Sequence, residues 1–208
     1  MIDGIYDVAF RYTRDARWEA YALSHSAYGF GDTLAEARKD ITEALALLVE
    51  QPENRIRINE YHERLISAAD EHHADVWLRV HHDADPNHVL SRREIVDKLQ
   101  DEPEAWDIFN NGLSLNGDII VLACLPDDML GDVFAQVASA HRLYLAVPYP
   151  NRLCLWRMHT NEATGRTPES EINIASFNLG AGSTVDDFIR VTSADHNHDA
   201  TREEYLVA

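Results

Sequence analysis

Lysine is almost missing from this chain. Lys39 and Lys98 are the only two, and 18 basic side chains face 36 acidic ones, for a formal charge of -18. Such a chain repels phosphate backbones and anionic lipid surfaces at long range and attracts cationic partners, although acidity of this kind also serves solubility alone. Cysteine is scarce as well. Cys124 and Cys154 each sit in an apolar, strand-like run, which excludes a disulfide-stapled secreted scaffold and reads as two small buried thiols. The longest unbroken apolar run is Ile119–Leu125, far too short for a membrane-spanning helix. The N-terminus carries Asp3 and Asp7 where a leader would be basic and then apolar, so the expected location is the cytoplasm, with no membrane contact. Motifs that would announce an enzyme are absent too. The chain contains no G-x-S-x-G, no P-loop, no G-x-G-x-x-G and no spaced Cys/His pairs of the zinc type.

What is present is enough for a packed core: 45% of the 208 residues are hydrophobic, suiting one large domain or two small ones. Charge is uneven. Residues 1–60 hold 11 acidic and 7 basic side chains, a net of -4, and residues 61–208 hold 25 and 11, a net of -14. Ile5–Tyr12 and Trp18–Ser24 alternate as two strands around a turn at Thr13–Arg17, and Tyr28–Phe30 forms a short third. Thr33 and Glu36 make a T-x-x-E capping box before an apolar stripe at Leu34, Ala37, Ile41, Ala44, Leu45 and Leu48. Ile58, Tyr61, Leu65 and Ala69 share a stripe that predicts a second helix.

Ala74–Val80 reads as a strand, His81–His88 as a loop, and Ser91 with Glu94 as the start of a helix running to Gln100. Pro103 opens a further short helix that Gly112 stops. Asp118–Leu125 is a continuous apolar strand, followed by a helix from Pro126–Asp128 with Leu130, Val133, Phe134 and Val137 inward. Arg142–Val147 and Arg152–Met158 form a hairpin, Thr160–Ser170 a loop, Glu171–Phe177 a last strand, and Ser183 with Asp186 cap a final helix to Arg190. Ala194–Ala208 reads as a frayed tail that Tyr205 and Leu206 can dock.

The order of these signals in Phe10–Glu50 resembles the HicB antitoxin family, which sets two or three strands before a glycine, a polar residue and T-x-x-E-A. Here those residues are Gly31, Asp32, Thr33, Leu34, Ala35, Glu36 and Ala37, followed by Glu43, Ala44 and Leu45. The resemblance covers about a quarter of the chain. It implies a partial RNase H-like ββ(β)α unit that binds and silences a small, basic, RNA-cleaving toxin with a catalytic histidine. Many HicB proteins also bind DNA through a C-terminal module. This chain departs there, because its remainder is long, mixed and acidic, which argues against nucleic-acid binding.

Candidate chemistry is thin. Asp7, Asp15, Glu19, Asp32 and Glu36 are the carboxylates an RNase H-like metal site would draw on, but Asp32 and Glu36 are explained by the turn and cap and Asp15 by the hairpin turn. The paired histidines His72–His73 and His81–His82 point to opposite faces of a strand. Gly29-Phe30-Gly31 lacks the lysine of a phosphate cradle and reads as a bend. Tyr28 and Phe30, in a short edge strand beside two glycines, are candidate binding anchors.

The expected architecture is α+β or mixed α/β. A partial RNase H-like ββ(β)α unit with its connecting helix takes residues 1–72, a second mixed α/β domain 73–193, and a flexible tail 194–208. The expected function is that of an antitoxin docking on a small basic toxin through Asp15, Trp18, Glu19, Tyr28, Phe30 and Asp32. No catalytic residue, metal ligand or cofactor is assigned. The competing readings are an enzyme with its site in residues 75–195, pointed to by His81–His88 and Pro126–Asp128, and a structural homodimer paired through the edge strand.

Overall fold

The structure is a computed structural model and describes residues 4–67, 75–81, 118–137, 142–149, 152–159, 171–195 and 204–206. The helices expected at Ser91–Gln100 and after Pro103, the His82–His88 part of the histidine loop, and the Thr160–Ser170 loop lie outside the described residues. The fold is mixed α/β and divides into two compact units: Met1–Arg64 with Arg79–Ala84, and Leu65–Leu78 with Asp85–Ala208.

Unit one is built on β1 (Gly4–Tyr12), β2 (Trp18–Ala22), β3 (Tyr28–Gly31), α1 (Leu34–Leu48) and β4 (Ile56–Ser67), of which residues up to Arg64 belong to it. It also includes Arg79–His81 of β5 (Val76–His81). Its strand order is β3-β2-β1-β4-β5. β1 and β2 pair antiparallel, β2 and β3 antiparallel, and β1 and β4 parallel, with α1 as the crossover. The β1–β2 turn closes through Thr13 N–H to Arg17 O at 2.9 Å, with Ala16 at φ 59°, a conformation that glycine adopts more cheaply.

Thr33 caps α1 as its sequence dictates. Its hydroxyl accepts from Glu36 N–H at 3.2 Å, and the Glu36 carboxylate accepts from Thr33 N–H at 3.0 Å and Asp32 N–H at 2.9 Å. Ala37, Ile41, Leu45 and Ala46 face inward and bury Val8, Phe10, Ala20, Ala22 and Ile56 beneath them. Leu48, placed inward by the sequence stripe, is half exposed, and Ala46 takes the inward place near the end of the helix.

The segment after α1 differs from expectation. Residues 56–67 form strand β4 and not a helix. The Ile58–Tyr61–Leu65 spacing fits a helical stripe, but pairing with β1 over eight register positions, from Gly4↔Ile56 to Arg11↔Glu63, satisfies the backbone in extended form and wins.

Unit two carries β6 (Ile119–Ala123), α2 (Leu130–Val137), β7 (Arg142–Tyr149), β8 (Arg152–His159), β9 (Glu171–Asn173), α3 (Val185–Asp195) and β10 (Glu204–Leu206). The strand order is β6-β7-β8-β10-β9, with β6 and β7 parallel, β7 and β8 an antiparallel hairpin, and β10 parallel to both β8 and β9. The core includes Ile119, Val121, Leu130, Val133, Leu143, Leu145, Val185 and Phe188.

Three expectations change here. The segment expected as a strand over Glu171–Phe177 pairs only to Asn173 and then winds into a 3-10 turn, Ile174–Phe177. The tail is structured in part, since α3 reaches Asp195 and Glu204–Leu206 pairs as β10. The cap of α3 is one residue later than expected. Thr184 accepts from Asp187 N–H at 3.2 Å, and Asp187 accepts from Thr184 N–H at 3.0 Å. The Thr184 backbone bond, then its hydroxyl, hold the Asp187 carboxyl below its ordinary range.

Candidate functional site

Strand alternation sorts the side chains of unit one onto two faces. Val8, Phe10, Ala20, Ala22 and Ile56 pack under α1. The register therefore puts Asp7, Ala9 and Arg11 of β1, Glu19 and Tyr21 of β2, Tyr28 and Phe30 of β3, and Asn59, Tyr61 and Glu63 of β4 on the opposite face. Arg79 and His81 of β5 reach the same side chains.

The inner part of this face is a buried polar network. Glu63 and Arg79 have fully buried side chains and meet as an ion pair, Arg79 Nη2 to Glu63 Oε1 at 2.8 Å, with Arg79 Nε donating to the same oxygen at 2.9 Å. Arg11 Nε lies 2.9 Å from Glu63 Oε2. Tyr21 completes the group. Its hydroxyl donates to Glu63 Oε1 at 2.6 Å and accepts from Arg79 Nη2 at 2.8 Å and Arg11 Nη2 at 3.0 Å, which fills its one donor and two acceptor places. Tyr21 sits on β2 and Glu63 on β4, with β1 between them. The residue of β1 opposite both Tyr21 and Tyr61 is Ala9, whose small side chain leaves the phenol room to cross.

Burial, then the neighbouring Glu63 carboxylate, push the Tyr21 phenol from 10.0 up to about 12. Folding thus favours the protonated phenol. Its contribution is complete below pH 10.0 and is lost as pH rises from there through about 12, because the folded state holds the proton that the unfolded chain releases. We expect this window to cost on the order of 2 kcal/mol relative to Tyr21→Phe, which lacks the ionisation. Urea titrations of both proteins at stepped alkaline pH check this. Parallel slopes for the two would contradict it.

Beside this network runs a second polar chain. Asn59 Nδ2 donates to Asp7 Oδ1 at 2.7 Å, and Asn59 Oδ1 faces His81 Nε2 at 2.7 Å, so Nε2 carries the imidazole proton. The Tyr61 ring meets His81 edge-on at 5.3 Å between centroids.

The outer part of the face is open. Tyr28 is 63% exposed and Phe30 48%. Glu19 stands directly across from Phe30, and Tyr21 across from Tyr28. Glu19 is also the cross-strand neighbour of Arg11, but Arg11 is drawn to Glu63, and the Glu19 carboxylate makes no ion pair or hydrogen bond among the described residues. Glu19, Tyr28 and Phe30 are thus brought together.

The other three expected partner-binding residues are placed apart from them. Trp18 lies on the α1 side, its ring tilted against that of Tyr12 at 5.5 Å between centroids, and packs against the core. Asp15 is exposed in the β1–β2 turn. Asp32 is exposed before α1 and lies 3.6 Å from Arg17 Nε.

The edge itself is occupied. Phe30 N–H donates to Asp40 Oδ2 of α1 at 2.9 Å, so one outward-pointing donor of β3 is already bonded within the unit. A partner strand adding there would compete with that bond, and this disfavours the edge-paired homodimer.

Of the two pointers to an enzyme, His82–His88 lies outside the described residues, and Pro126–Asp128 has a local structural role. Asp128 Oδ2 accepts from Leu125 N–H at 2.8 Å and closes the turn before α2. Cys124, behind that turn, is buried, and burial pushes its thiol well above the ordinary value, which leaves it inert. Among the described residues, no group of three or more His, Cys, Asp or Glu side chains is placed to hold a metal ion. Among them, no helix is long and apolar enough to cross a membrane.

The sequence pointed to Glu19, Tyr28 and Phe30 and missed Tyr21, Glu63, Arg79 and Asn59, and it singled out His81 only as part of a loop pointing to an enzyme, whereas His81 ends strand β5 beside Asn59. The missed signal was the alternation Arg57, Asn59, Tyr61, Glu63 against Ile56 and Ile58. Read as a strand, it places a row of polar groups on one face. Compared with known proteins, the chain matches no family model, no curated protein and no solved structure.

Proposed function

We propose that this chain is a neutralising protein of the antitoxin kind, and that unit one is a partial RNase H-like domain docking on a small basic protein. The order β3-β2-β1-β4, with β4 parallel to β1 across the α1 crossover, supports the domain reading. One observation carries the functional reading: Tyr28 and Phe30 stand out from a sheet face that α1 does not cover, beside the Glu19 carboxylate, which makes no ion pair or hydrogen bond among the described residues. Aromatic side chains at such positions are the usual anchors of protein interfaces. The net charge of -18 steers a cationic partner toward the molecule, and this raises the association rate more than the final affinity. Docked there, the unit occludes the partner's basic catalytic surface without any chemistry of its own.

The test is a search beside its gene for a short reading frame that encodes a small basic, growth-arresting protein, and co-expression with it. The full chain relieves the growth arrest that this frame causes. Tyr28→Ala with Phe30→Ala, at equal protein level, does not. Relief by the double variant, or the lack of any basic toxic neighbour, overturns the proposal.

A further inference from the structure

Resting on the antitoxin reading, we propose that Glu19, Tyr28 and Phe30 form a cradle for one arginine side chain of a protein partner. Tyr28 and Phe30 are two residues apart on one strand, so their stems rise in parallel about 7 Å apart. A planar cation in van der Waals contact at about 3.5 Å with a ring on each side needs that same spacing. A guanidinium fits as a flat plate between two rings, whereas an ammonium on a thin stem leaves the gap half filled.

Glu19, opposite Phe30, supplies the carboxylate at one end of the slot. Its charge is available because Glu63 has taken Arg11, the cation that cross-strand pairing would otherwise have given to Glu19. The buried network thus keeps the outer carboxylate open for a cation from outside. The sheet already uses the same contact internally, since the Arg11 guanidinium lies over the Tyr21 ring at 4.9 Å.

A second copy pairing along β3 is the other candidate occupant. Asp40 disfavours it by holding Phe30 N–H, a bond that an added strand would have to displace. Recognition therefore comes through side chains approaching the face, and a cation is the partner group that both the rings and the carboxylate favour.

The probe is a short peptide of alternating arginine and glycine, compared at matched ionic strength with the same peptide built on lysine. Both are titrated into the full chain while its amide and aromatic resonances are followed. The arginine peptide is expected to bind about three- to tenfold more tightly, with the largest shifts at Glu19, Tyr28 and Phe30. Tyr28→Ala with Phe30→Ala abolishes the preference and leaves lysine-level binding. Glu19→Gln weakens both peptides and keeps the preference. Unchanged amide exchange in α1 shows that each variant is folded.

Equal affinity for the two peptides, or shifts spread over the acidic residues of unit two, overturns the cradle. The two proposals fail separately. Arginine preference at β3 with no basic protein partner leaves the cradle standing and removes the antitoxin reading. A basic partner bound without arginine preference does the reverse.

Discussion

Glu63→Leu lowers the stability of unit one by about 3–5 kcal/mol, the usual cost of stranding one member of a buried ion pair. The side chains of Glu63 and Arg79 are both fully buried, and Glu63 also receives the Tyr21 hydroxyl and the Arg11 guanidinium. Leucine has comparable bulk but no acceptor, so Arg79 keeps its charge without that carboxylate. A typical domain is stable by only about 5–15 kcal/mol, so a substantial part of that margin disappears. Amide exchange of β1 and β4 reads the effect on this unit directly and does not assume that the whole chain unfolds in one step. The double variant Glu63→Leu with Arg79→Met restores much of the loss, because it removes both fully buried charges and leaves only Arg11, whose side chain reaches solvent in part, without the Glu63 carboxylate. If the double variant were no better than Glu63→Leu alone, the ion pair would not be what holds these strands together.

Gly29→Ala has the second large effect, about 1–3 kcal/mol from overpacking. A Cβ at position 29 would meet Ile41 N and Ile41 Cα of α1, at 2.4 and 2.8 Å, distances no real pair of such atoms keeps. These are backbone atoms, so relief requires the whole helix to lift from β3. The same holds at Gly31 against Ala37 N at 2.5 Å. Because Asp40 of α1 also holds Phe30 N–H, a lifted helix loosens the strand that carries Tyr28 and Phe30. Gly29→Ala should therefore speed exchange at Phe30 before it affects β4. Unchanged stability and exchange would mean that α1 and β3 are not this close in solution.

The sequence spoke clearly where the physics is local. The Thr33–Glu36 box and the stripe of α1 are satisfied within a few residues of chain, and both appear as read. The two strands around Thr13–Arg17 depend only on a short turn. It misled where partners are distant. β4 is a strand because β1, some fifty residues earlier, offers it a parallel ladder, and no pattern inside residues 56–67 reveals that partner. The cap of α3 shows a subtler limit. Ser183 with Asp186 and Thr184 with Asp187 are overlapping boxes of the same form, and in the structure Thr184, bridged to Met129, caps the helix while the Ser183 hydroxyl accepts from Gly180 N–H. The site divides in the same way. Tyr28 and Phe30 were visible because they alternate with glycines that must face a helix. Glu63 and Arg79 were not, because such residues are normally solvated and only three-dimensional pairing explains their burial.

Hydrogen exchange of the full chain, free and in complex with a basic protein found by the co-expression test, tests most directly whether the open outer part of this sheet face is the docking surface. Protection gained on β2 and β3, centred on Glu19, Tyr28 and Phe30, is the expected footprint. Protection confined to residues beyond Asp118, with β2 and β3 exchanging as in the free chain, would contradict it.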